Sequence, residues 1–266
     1  MDNPVTFSSS NGVCLITVSC SVQGNPVCME TLDGLFAALD AAEGDRSVNL
    51  AVIRSGHDGV FSKGHNIEKL SKADTAVVKQ YNIMGQRLVS FIRNMKKPVL
   101  AAVDGDCFGP AFEIILACDM VYATAKSRFG FNETEYGFVP GFGGTQLAAR
   151  KTYETFAKYL VFTGEPVDAA ELYGKGMVSK VLDGADSLAK AVEDTATLMS
   201  KRSSFAVGLA KETINSTLDM DFAKGLLLEQ NAFTFSFSTF DKTEGTSAFV
   251  EKREAQFRDR WEDYRF

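Results

Sequence analysis

The chain has 266 residues, 45% of them hydrophobic and 23% charged, which is enough for one large core or two unequal modules. Its formal net charge of −6 and pI of about 5.1 argue against nucleic acid as a partner, but they do not exclude an anionic small ligand. Five cysteines without a CxxC pair predict reduced thiols. The absence of a recognisable signal peptide or membrane-length apolar run predicts a cytoplasmic protein without a membrane partner.

Strands and helices alternate through the first two thirds of the chain, as is typical of an α/β domain. Past residue 185 the strand patterns stop, which favours a helical carboxyl-terminal module. The predicted strands are 13–19, 50–54, 98–103 and 121–123, and the predicted helices are one that ends near 44–45 and those at 74–95, 111–118, 186–200, 204–217, 221–235 and 244–258, with a loop between Gly105 and Gly109.

Histidine is scarce, since only His57 and His65 occur in the chain. Neither follows a GxSxG nucleophile elbow, and no histidine–cysteine spacing suits zinc, so a serine hydrolase and a metal site are disfavoured. We therefore expect a carboxylate to serve as any general acid or base.

Glu113 stands in the apolar run DCFGPAFEIILACD (106–119), where the predicted helix is hydrophobic on every side. Burial raises the pKa of a carboxyl group, and acid/base sites use glutamates of that kind. A structural glutamate that caps a helix or pairs with a basic residue is the alternative. Pro110 is favourable at a first helical position, so it predicts the helix start.

Two glycine-containing segments are further candidates for a functional site. The first follows a buried strand, and the second contains a pair of acidic residues. The loop FSKGHNI (61–67) places Gly64 where backbone N–H groups can bind an anion or a polarised oxygen, and His65 suits either a surface position or a catalytic one. The segment 129–144 contains the pair Glu133 and Glu135. Its Gly141-Phe-Gly-Gly run lacks phosphate-loop spacing and predicts a turn where backbones pack closely.

Together these segments resemble the crotonase superfamily, the enoyl-CoA hydratases and isomerases, over nearly the whole chain. The resemblance implies a ββα spiral with an acyl-CoA thioester site over 1–185, and a helical trimerisation module over 186–266. It also implies a homotrimer or homohexamer, an acyl-CoA or acyl-carrier thioester as substrate, and no cofactor apart from that coenzyme A. The matching pieces are VFSKGHNIEKL (60–70), KKPVLAAVDGDCFGPAFEIILACDMVYA (96–123), RFGFNETEYGFVPGFGGTQ (128–146), FTGEPVDAAELYGKGMVSKVL (162–182) and EGTSAFVEKREAQF (244–257).

The resemblance also implies site roles. In this family two backbone N–H groups hold the thioester oxygen and stabilise an enolate, and their positions fall on His65 and Pro110. Two glutamates act on one water, and Glu113 and Glu133 occupy both positions, with Glu135 as the fallback if the register slips by two. The remaining substrate-binding positions implied by the resemblance are Gly64, Asn66, Ile67, Glu68 and Gly141.

The sequence departs from the family pattern at these positions. His65 and Asn66 replace a small residue and an aspartate, and Glu68 fills a slot where the family has a lysine. Pro110 replaces a glycine and has no N–H, and the loss of one oxyanion donor typically costs about 10²–10³ in turnover. Three accounts stay open: the Ala111 N–H replaces the donor, the reaction needs less oxyanion help, or turnover is weak.

We therefore expect a hydratase that adds water across the 2,3 double bond of an acyl thioester. One alternative is an isomerase or decarboxylase acting on CoA or carrier-protein thioesters, although such relatives often keep only the later glutamate. The other alternative is a thioester-binding protein with little or no turnover.

Overall fold

Ten strands form two sheets in the computed structural model, which describes residues 3–264. The six-stranded sheet has the order β1-β2-β3-β5-β7-β10, and the four-stranded sheet has the order β4-β6-β8-β9. In chain order the strands are β1 (Val5–Ser10), β2 (Val13–Val18), β3 (Leu50–Ser55), β4 (Val60–Ser62), β5 (Val99–Val103), β6 (Asp106–Phe108), β7 (Met120–Thr124), β8 (Arg128–Gly130), β9 (Val167–Asp168) and β10 (Lys180–Leu182).

Eleven α-helices connect or follow these strands in the described part of the chain. They are α1 (Met29–Gly44), α2 (Ile67–Leu70), α3 (Thr75–Asn94), α4 (Pro110–Ala117), α5 (Gly144–Lys151), α6 (Glu154–Thr163), α7 (Ala169–Gly174), α8 (Ala185–Ser200), α9 (Ser204–Asn215), α10 (Phe222–Ser236) and α11 (Phe240–Glu251). Short 3₁₀ turns span Glu133–Tyr136, Ser216–Leu218 and Trp261–Tyr264.

Three consecutive turns of the chain repeat one pattern. In the pairs β3–β4, β5–β6 and β7–β8, the first strand joins the large sheet and the second joins the small sheet. A helical segment follows each pair. Within the large sheet β2, β3, β5, β7 and β10 are parallel, and only β1 is antiparallel to its neighbour. This arrangement confirms the predicted α/β fold, a spiral of ββα turns.

The central strands are buried on both faces, which explains their unbroken apolar sequences. In β5, Val99, Ala101 and Val103 face the main core with α1, α3 and α4. Leu100 and Ala102 face a second cluster that includes residues of α8. Because successive side chains of a strand alternate between faces, the parallel sheet lies between these two helical layers.

The carboxyl-terminal region is helical, and its first three predicted helices are confirmed as α8, α9 and α10. The prediction of a helix at 244–258 is wrong, because α11 begins at Phe240 and ends at Glu251. The Thr239 hydroxyl caps its start, and Lys252 adopts a left-handed φ of 56° after its end. The returning chain is then tied to α11, since Asp241 accepts hydrogen bonds from the amides of Arg258 and Asp259.

The predicted loop between Gly105 and Gly109 is also corrected, because it contains strand β6. A division into domains at residue 185 and a role of the later helices in trimerisation stay predictions. The five cysteines are free thiols, four buried and Cys28 half-buried. Within residues 3–264 we find no helix with both the length and the apolar composition needed to cross a bilayer. The cytoplasmic location stays a prediction.

A buried lysine attaches α9 to the spiral. The Lys211 ammonium donates to the Ile92 carbonyl at 2.9 Å and to the Asp119 carboxylate at 2.8 Å, and its side chain is 6% exposed. We expect Lys211→Met to lower the free energy of unfolding by about 3 kcal/mol, because it leaves a largely buried carboxylate without its cation. Urea unfolding at a fixed protein concentration measures this change.

The matched control is Lys190→Met, since Lys190 pairs with Asp194 on the exposed side of α8. An exposed pair of this kind contributes between about 0 and 1 kcal/mol. Equal stability of the two variants would contradict an anchoring role for Lys211.

Candidate active site

Glu113 is fully buried within α4, all of whose residues are buried. Its carboxylate accepts three backbone hydrogen bonds, from Gly141 N at 3.3 Å, Phe142 N at 2.8 Å and Gly144 N at 2.6 Å. Burial raises the pKa of Glu113 to about 8, and the nearby charge of Glu133 adds to the rise, while the three N–H donors oppose it. The prediction that this carboxylate is buried is confirmed. Because Gly144 is the first residue of α5, Glu113 also caps the start of that helix, which is part of the structural alternative, and no ion pair with a basic side chain is found for it among the described residues.

The glycines of the 141–144 loop make this cradle possible. Gly143 adopts a φ of +115°, which a side chain would strain. A Cβ on Gly144 would lie 2.8 Å from Glu113 Cγ and 2.6 Å from the Phe131 ring. The predicted close packing at this loop is confirmed, but the atoms that approach its glycines belong to side chains, among them Glu113, and not to another backbone.

We expect Gly144→Ala to lower kcat about 10²-fold, because the added methyl group displaces the Glu113 carboxylate and small displacements of catalytic groups have effects of that size. Steady-state kinetics and a thermal melt measure activity and folding separately. Gly174→Ala is the matched control, since a Cβ there meets no atom within 4 Å. Full activity of Gly144→Ala would contradict the requirement for this close contact.

Glu133 lies at the start of the 3₁₀ turn Glu133–Tyr136 and is also fully buried. Neither of its carboxylate oxygens has a hydrogen-bond partner among the described residues, and the side-chain oxygen of Asn132 also lacks one. Glu135, the fallback position, is exposed. Glu133 is therefore buried with acceptors that no described residue satisfies, and buried acceptors of this kind call for a further partner such as water.

The His65 side chain is buried and is not a surface group. It is only 6% exposed, and its Nε2 lies 3.3 Å from Glu133 Oε1. The rings of Phe138 and Phe142 contact the imidazole edge-on. The residue as a whole is half-buried. Part of the His65 main chain is therefore accessible.

The loop of His65 and the start of α4 abut each other, as two oxyanion donors would require. A Cβ on Gly109 would lie 3.5 Å from Gly64 Cα and 3.1 Å from Glu133 Oε1. Pro110 occupies the first helical position, as predicted, and contributes no N–H. The amides of Ala111 and Phe112 follow in the first turn of α4, where backbone donors have no intrahelical acceptor.

A cavity of about 490 Å³ opens beside the His65 loop. His65, Ile67 and Gly141 line it among the predicted substrate-binding residues, together with the aromatic side chains of Tyr136 and Phe138. Its lining includes neither of the two buried glutamates, nor Gly64 or Pro110.

Two of the predicted substrate-binding side chains are engaged elsewhere. The Asn66 side chain caps α2 by accepting from the amide of Lys69 at 2.9 Å. The Glu68 side chain is 84% exposed and pairs with Lys72. Neither side chain lines the cavity.

Sequence reasoning missed Tyr81 and Asn132. Tyr81 Oη donates to the Val27 carbonyl at 2.9 Å and lies 3.3 Å from His65 Nδ1. The signal that could have found it is a tyrosine on the apolar side of the predicted 74–95 helix, since a buried hydroxyl needs a partner. Asn132 directly precedes Glu133 and carried no distinguishing pattern.

Comparison with known proteins identifies the family. The family model described as enoyl-CoA hydratase/isomerase matches residues 8–260. A crotonyl-CoA hydratase of Syntrophomonas wolfei is 32% identical over 233 residues, covering 88% of this chain and 89% of that protein. A mitochondrial enoyl-CoA hydratase of Pongo abelii is 33% identical over 250 residues, covering 94% of this chain and 85% of that protein.

Solved structures agree with these relatives. The enoyl-CoA hydratase of Bacillus anthracis superposes with a TM-score of 0.91 at 26% identity and covers 96% of this chain and 99% of its own. An enoyl-CoA hydratase of Polaromonas sp. JS666 gives 0.90 at 29% identity with the same coverage. The chain therefore belongs to the enoyl-CoA hydratase/isomerase family of the crotonase superfamily.

Proposed function

We propose that the protein is an enoyl-CoA hydratase that adds water across the 2,3 double bond of an acyl-CoA thioester, or removes it in reverse. The observation that carries this proposal is the pair of fully buried carboxylates, Glu113 and Glu133. Two carboxyl groups are what a water addition uses, because one proton leaves the water and one reaches the α carbon. The names of the relatives, which are hydratases of crotonyl-CoA and other enoyl-CoA thioesters, support the same reaction.

The proposed steps follow from the arrangement of these groups. The thioester oxygen is held by the His65 amide and by a donor at the start of α4. One carboxylate takes a proton from water while the water oxygen bonds to the β carbon. The resulting enolate, stabilised at its oxygen by the backbone donors, takes a proton at the α carbon from a carboxylic acid. Two buried carboxyl groups in different hydrogen-bonding environments suit this division into base and acid.

A second candidate, a thioester-binding protein with weak turnover, is favoured by one observation. Pro110 occupies a donor position and has no N–H, while the buried glutamates remain in place. Isomerisation and decarboxylation are less favoured, because Glu113 is retained and held by three amides.

Assembly into a homotrimer or homohexamer is part of the proposal. Large apolar side chains on the last helices support it, since Phe222 and Phe249 are 82% and 85% exposed. Leu226, Leu227 and Phe233 of α10 are exposed as well, and a concentration of exposed large apolar side chains is typical of an interaction surface.

Product analysis tests the proposed reaction. The protein is incubated with 2-enoyl-CoA and 3-enoyl-CoA thioesters of several chain lengths, and products are separated and weighed by mass spectrometry. Hydration adds the mass of one water, isomerisation leaves the mass unchanged, and decarboxylation of a carboxyacyl-CoA removes carbon dioxide. We expect the water adduct of a 2-enoyl-CoA. Tight binding without any product would support the second candidate, and an isomer alone would overturn the hydratase proposal.

A further inference from the structure

The hydrogen bonds of Tyr81 fix the tautomer of His65. The Tyr81 hydroxyl has one proton, and the Val27 carbonyl at 2.9 Å can only accept it. The Tyr81 oxygen must then act as an acceptor toward His65 Nδ1, which lies 3.3 Å away. Nδ1 therefore carries a hydrogen, and in a neutral imidazole the lone pair is left on Nε2.

A carboxylate lies beside that lone pair, and Nε2 has no hydrogen-bond partner among the described residues. Nε2 lies 3.3 Å from Glu133 Oε1, and both groups are buried, with side chains 6% and 0% exposed. A neutral imidazole with its lone pair on Nε2 would face an ionised carboxylate with no hydrogen between them. Two buried acceptors in contact without a hydrogen are costly, because neither group has water to bind instead. One proton between the two groups removes the conflict, whichever of them carries it.

We infer that His65 Nε2 and Glu133 Oε1 share one proton, that Tyr81 fixes this arrangement, and that His65 is thereby a positioning residue that keeps Glu133 supplied with a proton. The role in turnover rests on the proposed hydration. The shared proton itself rests only on the contacts among these residues.

The groups packed around His65 support this assignment. From α3 the facing titratable group is Tyr81, and from the 3₁₀ turn it is Glu133. The rings of Phe138 and Phe142 cover the imidazole and limit access of water. Glu113 is the next carboxylate, close enough for the charge of Glu133 to act on it.

A proton shared between His65 and Glu133 gives the two glutamates different roles, one as base and one as acid. It makes the His65–Glu133 pair neutral overall, which removes a negative charge from beside Glu113. Burial raises the pKa of Glu113 to about 8, but removal of the negative charge beside it lowers that pKa again, and the three amide donors also favour the ionised form. Glu113 then takes a proton from water, and Glu133 gives its proton to the α carbon. In each turnover Glu113 gains one proton and Glu133 loses one. Transfer of a proton from Glu113 to Glu133 therefore restores the starting state of the site.

Nitrogen spectra of the two histidines test the shared proton without substrate. Protein labelled with ¹⁵N at histidine is sedimented and studied by magic-angle-spinning NMR, and His57→Gln assigns the remaining signals to His65. We expect a protonated Nδ1 in the parent, with Nε2 either protonated or accepting a hydrogen bond, and loss of that fixed tautomer in Tyr81→Phe. A free lone pair on Nε2, or a bare Nδ1, would overturn the inference.

The pH dependence of kcat tests the role in turnover. We expect His65→Gln to move the alkaline limb of the profile to lower pH. The glutamine keeps the backbone amide but donates to Glu133 and favours its ionised form. A purely structural role would lower kcat equally at every pH and leave the limb in place, which would overturn the positioning role.

His57→Gln is the matched control for the kinetics, because the hydrogen bonds of the His57 ring go to the Ser19 hydroxyl and the Cys20 carbonyl, and its amide donates to the Ser55 hydroxyl. We expect it to leave the profile unchanged. If the parent hydrates no thioester, the proposed function fails, and the nitrogen spectra still decide whether the proton is shared.

Discussion

Glu113→Gln and Glu133→Gln are each expected to lower kcat for hydration by about 10²–10⁴, the usual contribution of general acid–base catalysis. Glutamine keeps the size of the side chain and removes its ability to exchange a proton. Because the proposed mechanism uses both carboxyl groups on one water, we expect the double variant to lose less than the product of the two single losses. Steady-state kinetics on the best 2-enoyl-CoA measures all three variants.

Glu135→Gln is the matched control, since Glu135 is an exposed glutamate two residues after Glu133. It should leave kcat unchanged. Thermal melts are needed beside the kinetics, because a glutamine amide at position 113 places an N–H group among the three N–H donors that face that side chain. Parent-like turnover by both single variants, each folded, would end the acid–base assignment.

Pro110→Gly is expected to raise kcat by up to about 10²–10³, the usual effect of one oxyanion donor. The substitution adds an N–H at the first position of α4, beside the loop that contains Gly64. It also removes a residue that favours helix initiation, so we expect a loss of about 1 kcal/mol in stability. kcat and urea unfolding of the same preparation separate the two effects.

Pro110→Ala distinguishes the effect of the added N–H donor from the effect of a more flexible backbone. Alanine restores the N–H but allows less backbone freedom than glycine. If both variants are faster than the parent, the missing donor limits turnover. If only the glycine variant is faster, movement of α4 is the cause. If neither is faster, the missing-donor argument is wrong and the Ala111 amide is the favoured substitute.

The sequence was sufficient for the features that depend on local pattern. The burial of Glu113 followed from its apolar neighbours, and the start of α4 followed from Pro110. The donors to Glu113 were not predictable, because they lie 28 to 31 residues later in the chain and come from backbone atoms. The environment of His65 likewise depends on Tyr81, which reaches it across the fold from α3.

The predicted positions of helices and strands were wrong where tertiary contacts, and not the periodicity of the sequence, determine which residues form the element. The helix predicted at 244–258 followed a pattern that continues past Glu251, but Asp241 holds the returning chain and prevents a longer helix. Strand β1 was missed because its sequence, VTFSSS, is largely polar and exposed, and it forms by pairing with β2.

The cradle around Glu113 has a consequence for how this protein tolerates mutation. Its three donors are main-chain amides of Gly141, Phe142 and Gly144, so an exchange of side chains cannot delete them unless the new residue is proline or too large. Most amino-acid substitutions in the loop should therefore disturb Glu113 by steric crowding and not by removing an N–H donor. Proline at position 141, 142 or 144 would remove one N–H donor at a time. The three variants would therefore show how much each donor contributes to the orientation of the Glu113 carboxylate.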